Sequence, residues 1–139
     1  MDVDYTYKVV EVIRIVDADT FWLTLERDVG FRTLVRFPQE FRLDEWDCPE
    51  KTRGSAYERA QARVAQAATA EFFSRPLGTL WVRSRKDPDN FGRYFAIVKA
   101  GLSFYDPDAI SLGESLAEHK LAVTWPTRWW QTYDPQGRG

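Results

Sequence analysis

Between Tyr5 and Val16 apolar and polar residues alternate imperfectly, with Val10 and Val12 on one side and Val9, Ile13 and Ile15 largely on the other. Branching at Cβ suits a pleated surface, so the stretch predicts a strand buried on much of both faces. Asp17-Ala18-Asp19 interrupts it as a turn, and Phe21, Leu23 and Leu25 then mark one face of a second strand. Arg27-Asp28-Val29-Gly30 ends that strand, and Phe31 is expected to open a third. Pro38 has no N–H to give to a ladder, so the third strand should bend or end there before Phe41-Arg42-Leu43 leads into a loop, Asp47-Cys48-Pro49-Glu50.

Ser55 followed three residues later by Glu58 fits a capping box, opening a helix on which Tyr57, Ala60, Val64, Ala68 and Phe72 recur at helical spacing. The helix should stop near Ser74, ahead of Pro76 and Gly78. Leu80–Arg83 and Tyr94–Val98 predict a second strand pair around a polar turn, and a second capping box, Ser111 to Glu114, opens a short helix. His119 is expected at the C-terminal cap of that helix. This order predicts an α+β fold, a five-stranded OB-fold barrel with two or three helices over residues 1–125. Residues 126–139 form an aromatic tail with Trp129, Trp130 and Tyr133, packed or flexible.

A chain of 139 residues holds one domain, and 44% hydrophobic with 15% aromatic content excludes disorder. The single cysteine, Cys48, excludes an internal disulfide. With His119 as the one histidine, there are too few ligands for a closed zinc site and too few imidazoles for most nucleophilic catalysts. Chemistry here has to run on carboxylates, arginines and a hard metal. The net charge of −2 hides a division: residues 1–50 carry a net −6, residues 51–99 a net +6 and residues 100–139 a net −2. An acidic part for metal and a basic part for phosphate is one reading, and solvated surface charge falling in blocks is the other. Neither a signal peptide nor a membrane-spanning run is visible, which predicts a soluble cytoplasmic protein, although a mature secreted form would look the same.

Three segments concentrate reactive groups: Val16-Asp17-Ala18-Asp19-Thr20, Arg42-Leu43 through Asp47-Cys48-Pro49-Glu50, and Asp89-Asn90-Phe91-Gly92-Arg93. In that order they resemble the motifs of the staphylococcal nuclease-like, or thermonuclease, family, and the resemblance spans roughly residues 8–125. The residues also make physical sense without it. Asp17, Asp19 and Asp47 are hard oxygen donors that suit Ca²⁺. Glu50, held by Pro49, is placed to take a proton from an attacking water. Arg42 and Arg93 have the forked shape that grips two phosphate oxygens. Singly, each has an ordinary alternative: an Asx-turn, an exposed loop glutamate, a surface ion pair.

The resemblance implies that Asp19, Asp47 and the backbone carbonyl of Cys48 ligate Ca²⁺ directly and Asp17 through water. It makes Arg42, Glu50 and Arg93 catalytic, and it assigns substrate contact to Phe91, which replaces a tyrosine, and to Trp125. It further implies a monomeric phosphodiesterase acting on DNA and RNA with little sequence preference and leaving 3′-phosphate ends. A non-catalytic OB-fold module that binds nucleic acid or protein is the alternative, and a zinc- or histidine-dependent nuclease a distant third. Base stacking and packing against the barrel are both open to the tail tryptophans, with packing favoured because indoles near proline more often cover apolar surface.

Overall fold

The computed structural model describes residues 5–75 and 78–136. The three N-terminal apolar segments form an antiparallel meander of β1 (Thr6–Asp17), β2 (Thr20–Asp28) and β3 (Leu34–Leu43). A two-residue strand β4 (Trp46–Asp47) and the helix α1 (Ala56–Ser74) follow, and then β5 (Thr79–Lys86) and β6 (Arg93–Gly101). β5 pairs with both β1 and β6, and Glu40–Leu43 of β3 pairs in parallel with Arg93–Ala96 of β6. That last pairing closes the order β3-β2-β1-β5-β6 into the expected five-stranded, OB-like barrel. Smaller elements complete it: β7 (Ile110–Ser111) beside β6, α2 (Leu112–Glu118) capped by Ser111 and His119, β8 (Val123–Thr124) paired with β4, and α3 (Trp129–Thr132).

Inward-facing Phe21, Leu23, Leu25, Phe41, Leu43, Val82, Ala96 and Val98 make the core. Helix α1 packs Phe72 and Phe73 onto one end of it, Phe73 meeting Phe21 edge-on at 5.1 Å. At the end away from α1, the inward positions Tyr7, Phe37 and Tyr94 are covered only in part.

Four local expectations are corrected. The strand β1 is not buried on both faces: Val9 is its one buried residue, and the imperfect alternation comes from three register shifts against β2. Phe31 does not begin β3. It sits with Arg32 in a left-handed turn, φ 56° and 58°, that Thr33 closes by donating its N–H to the Gly30 carbonyl. Pro38 does not end β3, which runs on through a Thr24–Pro38 pair. The far edge of β3 is taken up by β6 only from Glu40, so a missing N–H is tolerated at 38. The buried stripe of α1 is Glu58, Ala62, Ala65, Thr69 and Phe72, leaving Tyr57, Ala60 and Val64 exposed. Two polar members disguise that stripe, and both have work to do at the site.

The C-terminal segment, described to Gln136, packs. Trp129 is 1% exposed, lies against Tyr57 at 6.0 Å, and donates Nε1–H to the Lys120 carbonyl. Asp134 accepts a 2.6 Å hydrogen bond from the Ser55 hydroxyl, fastening the segment to the start of α1. No helix among the described residues is long and apolar enough to cross a membrane.

Candidate active site

The β1–β2 turn carries Asp17 and Asp19, and α1 holds it from below. Thr69 donates its hydroxyl to the Ala18 carbonyl at 2.9 Å, and Gln66 donates to the carbonyls of Ile15 and Val16. From the other side the N–H of Leu43 donates to the Asp19 carbonyl at 2.8 Å, so the turn is clamped between β3 and α1. The same helix reaches the next loop, where the buried Glu58 accepts the N–H of Glu50 at 3.1 Å. The Glu58 carboxylate thus serves the neighbouring loop, while the first turn of its own helix is held by the Ser55 hydroxyl accepting the Glu58 N–H.

Strand alternation does the rest. Phe41 and Leu43 turn inward at 1% exposure each, which leaves Arg42 between them facing out. On β6, Arg93 is steadied by the buried Asp87, which accepts from its Nη2 at 3.2 Å and its Nε at 3.3 Å. A carboxylate behind a guanidinium fixes the plane of the fork while leaving its other N–H groups available.

These elements meet in one cleft of about 330 Å³ lined by Asp17, Asp19, Arg42, Glu50, Arg93 and, in addition, Lys51 and Arg128. Five of the predicted residues, drawn from three separate segments, therefore share a single polar surface. Asp47 and Cys48 lie beneath it, at 4% and 1% exposure. The carboxylate of Asp47 is engaged: Trp129 donates its N–H to Oδ2 at 2.8 Å, and Oδ1 lies 3.3 Å from Arg128 and 3.6 Å from Arg42. Asp47 therefore ties α3 to the site, a second task that the sequence reading does not foresee.

Electrostatics here are strained by like charge. Burial pushes the Asp19 carboxyl up to about 7, helped by Asp47 and Asp17 and opposed by Arg42 and by a backbone hydrogen bond from Cys48. Burial also raises Asp17, against the pull of Lys51, whose Nζ is 3.8 Å from Oδ1. That oxygen is buried without a hydrogen-bond partner, and burial drives the Cys48 thiol well up, keeping it protonated. Among the described residues no three acidic, cysteine or histidine side chains converge as a ready-made ligand set. The arrangement suits a hard cation that keeps much of its water: two neighbouring carboxylates whose charged forms burial disfavours, and one oxygen with no hydrogen-bond partner.

The two substrate-binding expectations separate. Trp125 lines a second cleft of about 300 Å³ with Arg42, Pro126 and Arg128, adjoining the first through both arginines. The Arg42 guanidinium lies 5.5 Å from its ring centroid, and its Nε1–H is buried without a partner. Phe91 instead stands fully exposed on the β5–β6 turn and does not line the main cleft. Sequence reasoning missed the residues that hold the site, namely Glu58, Gln66, Thr69 and Asp87. A signal was present for the first and third, because positions 58, 62, 65, 69 and 72 keep a perfect helical spacing. Compared with protein-family models and with curated proteins, the chain matches none.

Proposed function

We propose that this protein is a Ca²⁺-dependent phosphodiesterase that hydrolyses DNA and RNA with little sequence preference, leaving 3′-phosphate ends. The observation that carries the reading is the convergence of Asp17, Asp19 and Glu50 with Arg42 and Arg93 in one cleft, in the motif order that resembles the thermonuclease family. In it Arg42 and Arg93 grip the non-bridging phosphate oxygens and stabilise the charge that grows on them. Glu50, on a loop pinned by Glu58, accepts the proton of the attacking water. Asp19, Asp17, the Cys48 carbonyl and Asp47 are the groups that would hold the cation. Bound there, Ca²⁺ supplies charge neutralisation and polarisation of the phosphate.

A non-catalytic OB-fold module is the second reading, and one observation favours it: Asp47 is satisfied by Arg42, Arg128 and the Trp129 N–H, and Asp17 lies beside Lys51. Incubating the protein with plasmid DNA and total RNA in Ca²⁺, Mg²⁺ or chelator separates the two. Degradation in Ca²⁺ alone is expected, and binding without cleavage in Ca²⁺ would establish the module.

A further inference from the structure

The end of the barrel away from α1 is an open mouth among the described residues. A cavity of about 210 Å³ opens there, walled by Tyr5, Tyr7, Phe37 and Tyr94, with Gln39 and Ser84 supplying polar groups. Tyr7, Phe37, Gln39, Ser84 and Tyr94 are inward positions by strand alternation, in line with core residues Val9, Leu25, Phe41 and Val82, and Tyr5 stands just before β1, its carbonyl accepting the Ser84 N–H at 3.0 Å. The space is smaller than the ~300–1,000 Å³ of pockets that take drug-sized ligands. It is the size for one planar ring.

Charge and position narrow the occupant. Leading outward from the same inward rows are Arg27, whose guanidinium lies 5.2 Å from the Tyr7 ring centroid, and exposed Lys86, paired in register with Tyr94. Aromatic walls with a cationic rim suit a flat base attached to a phosphate. Arg93 lines the cleft and its chain neighbour Tyr94 lines the mouth from the opposite face of β6, so the two openings flank the same end of one strand. Gln39 joins the two by donating Nε2–H to the Gly92 carbonyl at 2.6 Å. A strand gripped at its scissile phosphate by Arg93 would reach the mouth over the Asn90–Gly92 turn, which leads into the same end of β6. That turn offers fully exposed Phe91 and, at Gly92, no side chain in the way.

We infer that the barrel mouth is a subsite for one unpaired base, receiving the polynucleotide next to the phosphate held by Arg93. This rests on the phosphodiesterase reading for its register but not for its binding. The subsite selects for single strands over duplex, whose bases are already stacked.

The test uses the full chain and a labelled ten-nucleotide oligothymidylate in chelator, read by fluorescence anisotropy, beside a cleavage assay in Ca²⁺. Tyr94→Ala and Tyr5→Ala should each weaken the decamer by about five-fold or more, the low end of losing one base–aromatic stack. Tyr94→Phe, which keeps the ring, should hold wild-type affinity, and circular dichroism checks that each variant folds. In NMR the ring resonances of Tyr5, Tyr7 and Tyr94 should shift on adding the oligonucleotide. Unshifted rings and affinities within about two-fold of wild type would overturn the subsite and assign the mouth to another occupant, whether or not the protein cleaves DNA. Weakened variants in a protein that binds but never cleaves would instead uphold the subsite and remove the catalytic reading.

Discussion

Arg93 and Tyr94 are consecutive residues of β6, yet one faces a cleft of charges and the other a mouth of rings. Their difference shows how a small barrel divides labour with the two-residue period of a strand. The cleft carries Asp17, Asp19, Glu50, Arg42 and Arg93 on turns and outward positions, with Glu50 steadied by the buried Glu58 and Arg93 by the buried Asp87. The mouth needs no such partners, because its groups are wall residues already fixed by the sheet. If the division is real, damage to the cleft costs turnover and damage to the mouth costs affinity.

The sharpest break is Glu50→Gln, which keeps the shape and removes the proton acceptor. Turnover of plasmid DNA should fall by about two orders of magnitude or more while the dissociation constant for an oligonucleotide stays put. Wild-type turnover in this variant would strip Glu50 of its role. Arg42→Lys and Arg93→Lys come next, each with an expected loss of about a hundred-fold despite unchanged charge, since lysine has no fork. Mild losses in both would reduce the arginines to electrostatic steering.

A smaller effect tests the supports. Glu58→Gln keeps the helix but weakens the acceptor for the Glu50 N–H, so kcat should drop by about ten-fold with KM nearly constant, a second-layer magnitude. Loss of thermal stability with kcat intact would show that Glu58 serves the fold alone.

These supports mark the boundary of what the sequence discloses. The barrel was legible because Phe21, Leu23 and Leu25 keep a period of two and Tyr94–Val98 is a short continuous apolar run, and the reactive groups because they cluster in short motifs. The bulges of β1 were not, since a register shift leaves only a blurred alternation. The buried face of α1 was misplaced because Glu58 and Thr69 are polar and their partners, the Glu50 N–H and the Ala18 carbonyl, are backbone groups that no sequence pattern advertises. The same holds for Asp47, whose bond to the Trp129 N–H spans 82 residues.

Proton linkage gives the cleft a signature of its own, through Asp19. Asp19 keeps its proton to about 7 in the folded metal-free protein against 3.8 as the ordinary value. Between those values the folded state binds more protons than the unfolded one, so the contribution of this group to stability is full below 3.8 and is lost as the pH rises through 7. Relative to Asp19→Asn, the wild-type melting temperature should therefore fall across that window. Ca²⁺ should bind about ten-fold more weakly for each pH unit below about 7, releasing close to one proton at about pH 6. Calorimetry in two buffers of different ionisation enthalpy measures the release, and none at all would mean that Asp19 is not the ligand.

The smallest expected effect joins the two regions. Phe91 is fully exposed, so Phe91→Ala should leave the melting temperature within about 2 °C, in keeping with a surface change worth no more than ~0.5 kcal/mol. It stands on the turn between Arg93 and the mouth, however, and a base crossing that turn would rest against its ring. The KM for a single-stranded decamer should rise by about three-fold, less than for Tyr94→Ala, because an exposed ring on a turn stacks less firmly than one set in a barrel wall. The KM for a dinucleotide, too short to reach across, should move less than that for the decamer. Equal shifts for both lengths would place Phe91 at the scissile phosphate, and no shift for either would route the strand away from the turn and break the link between cleft and mouth.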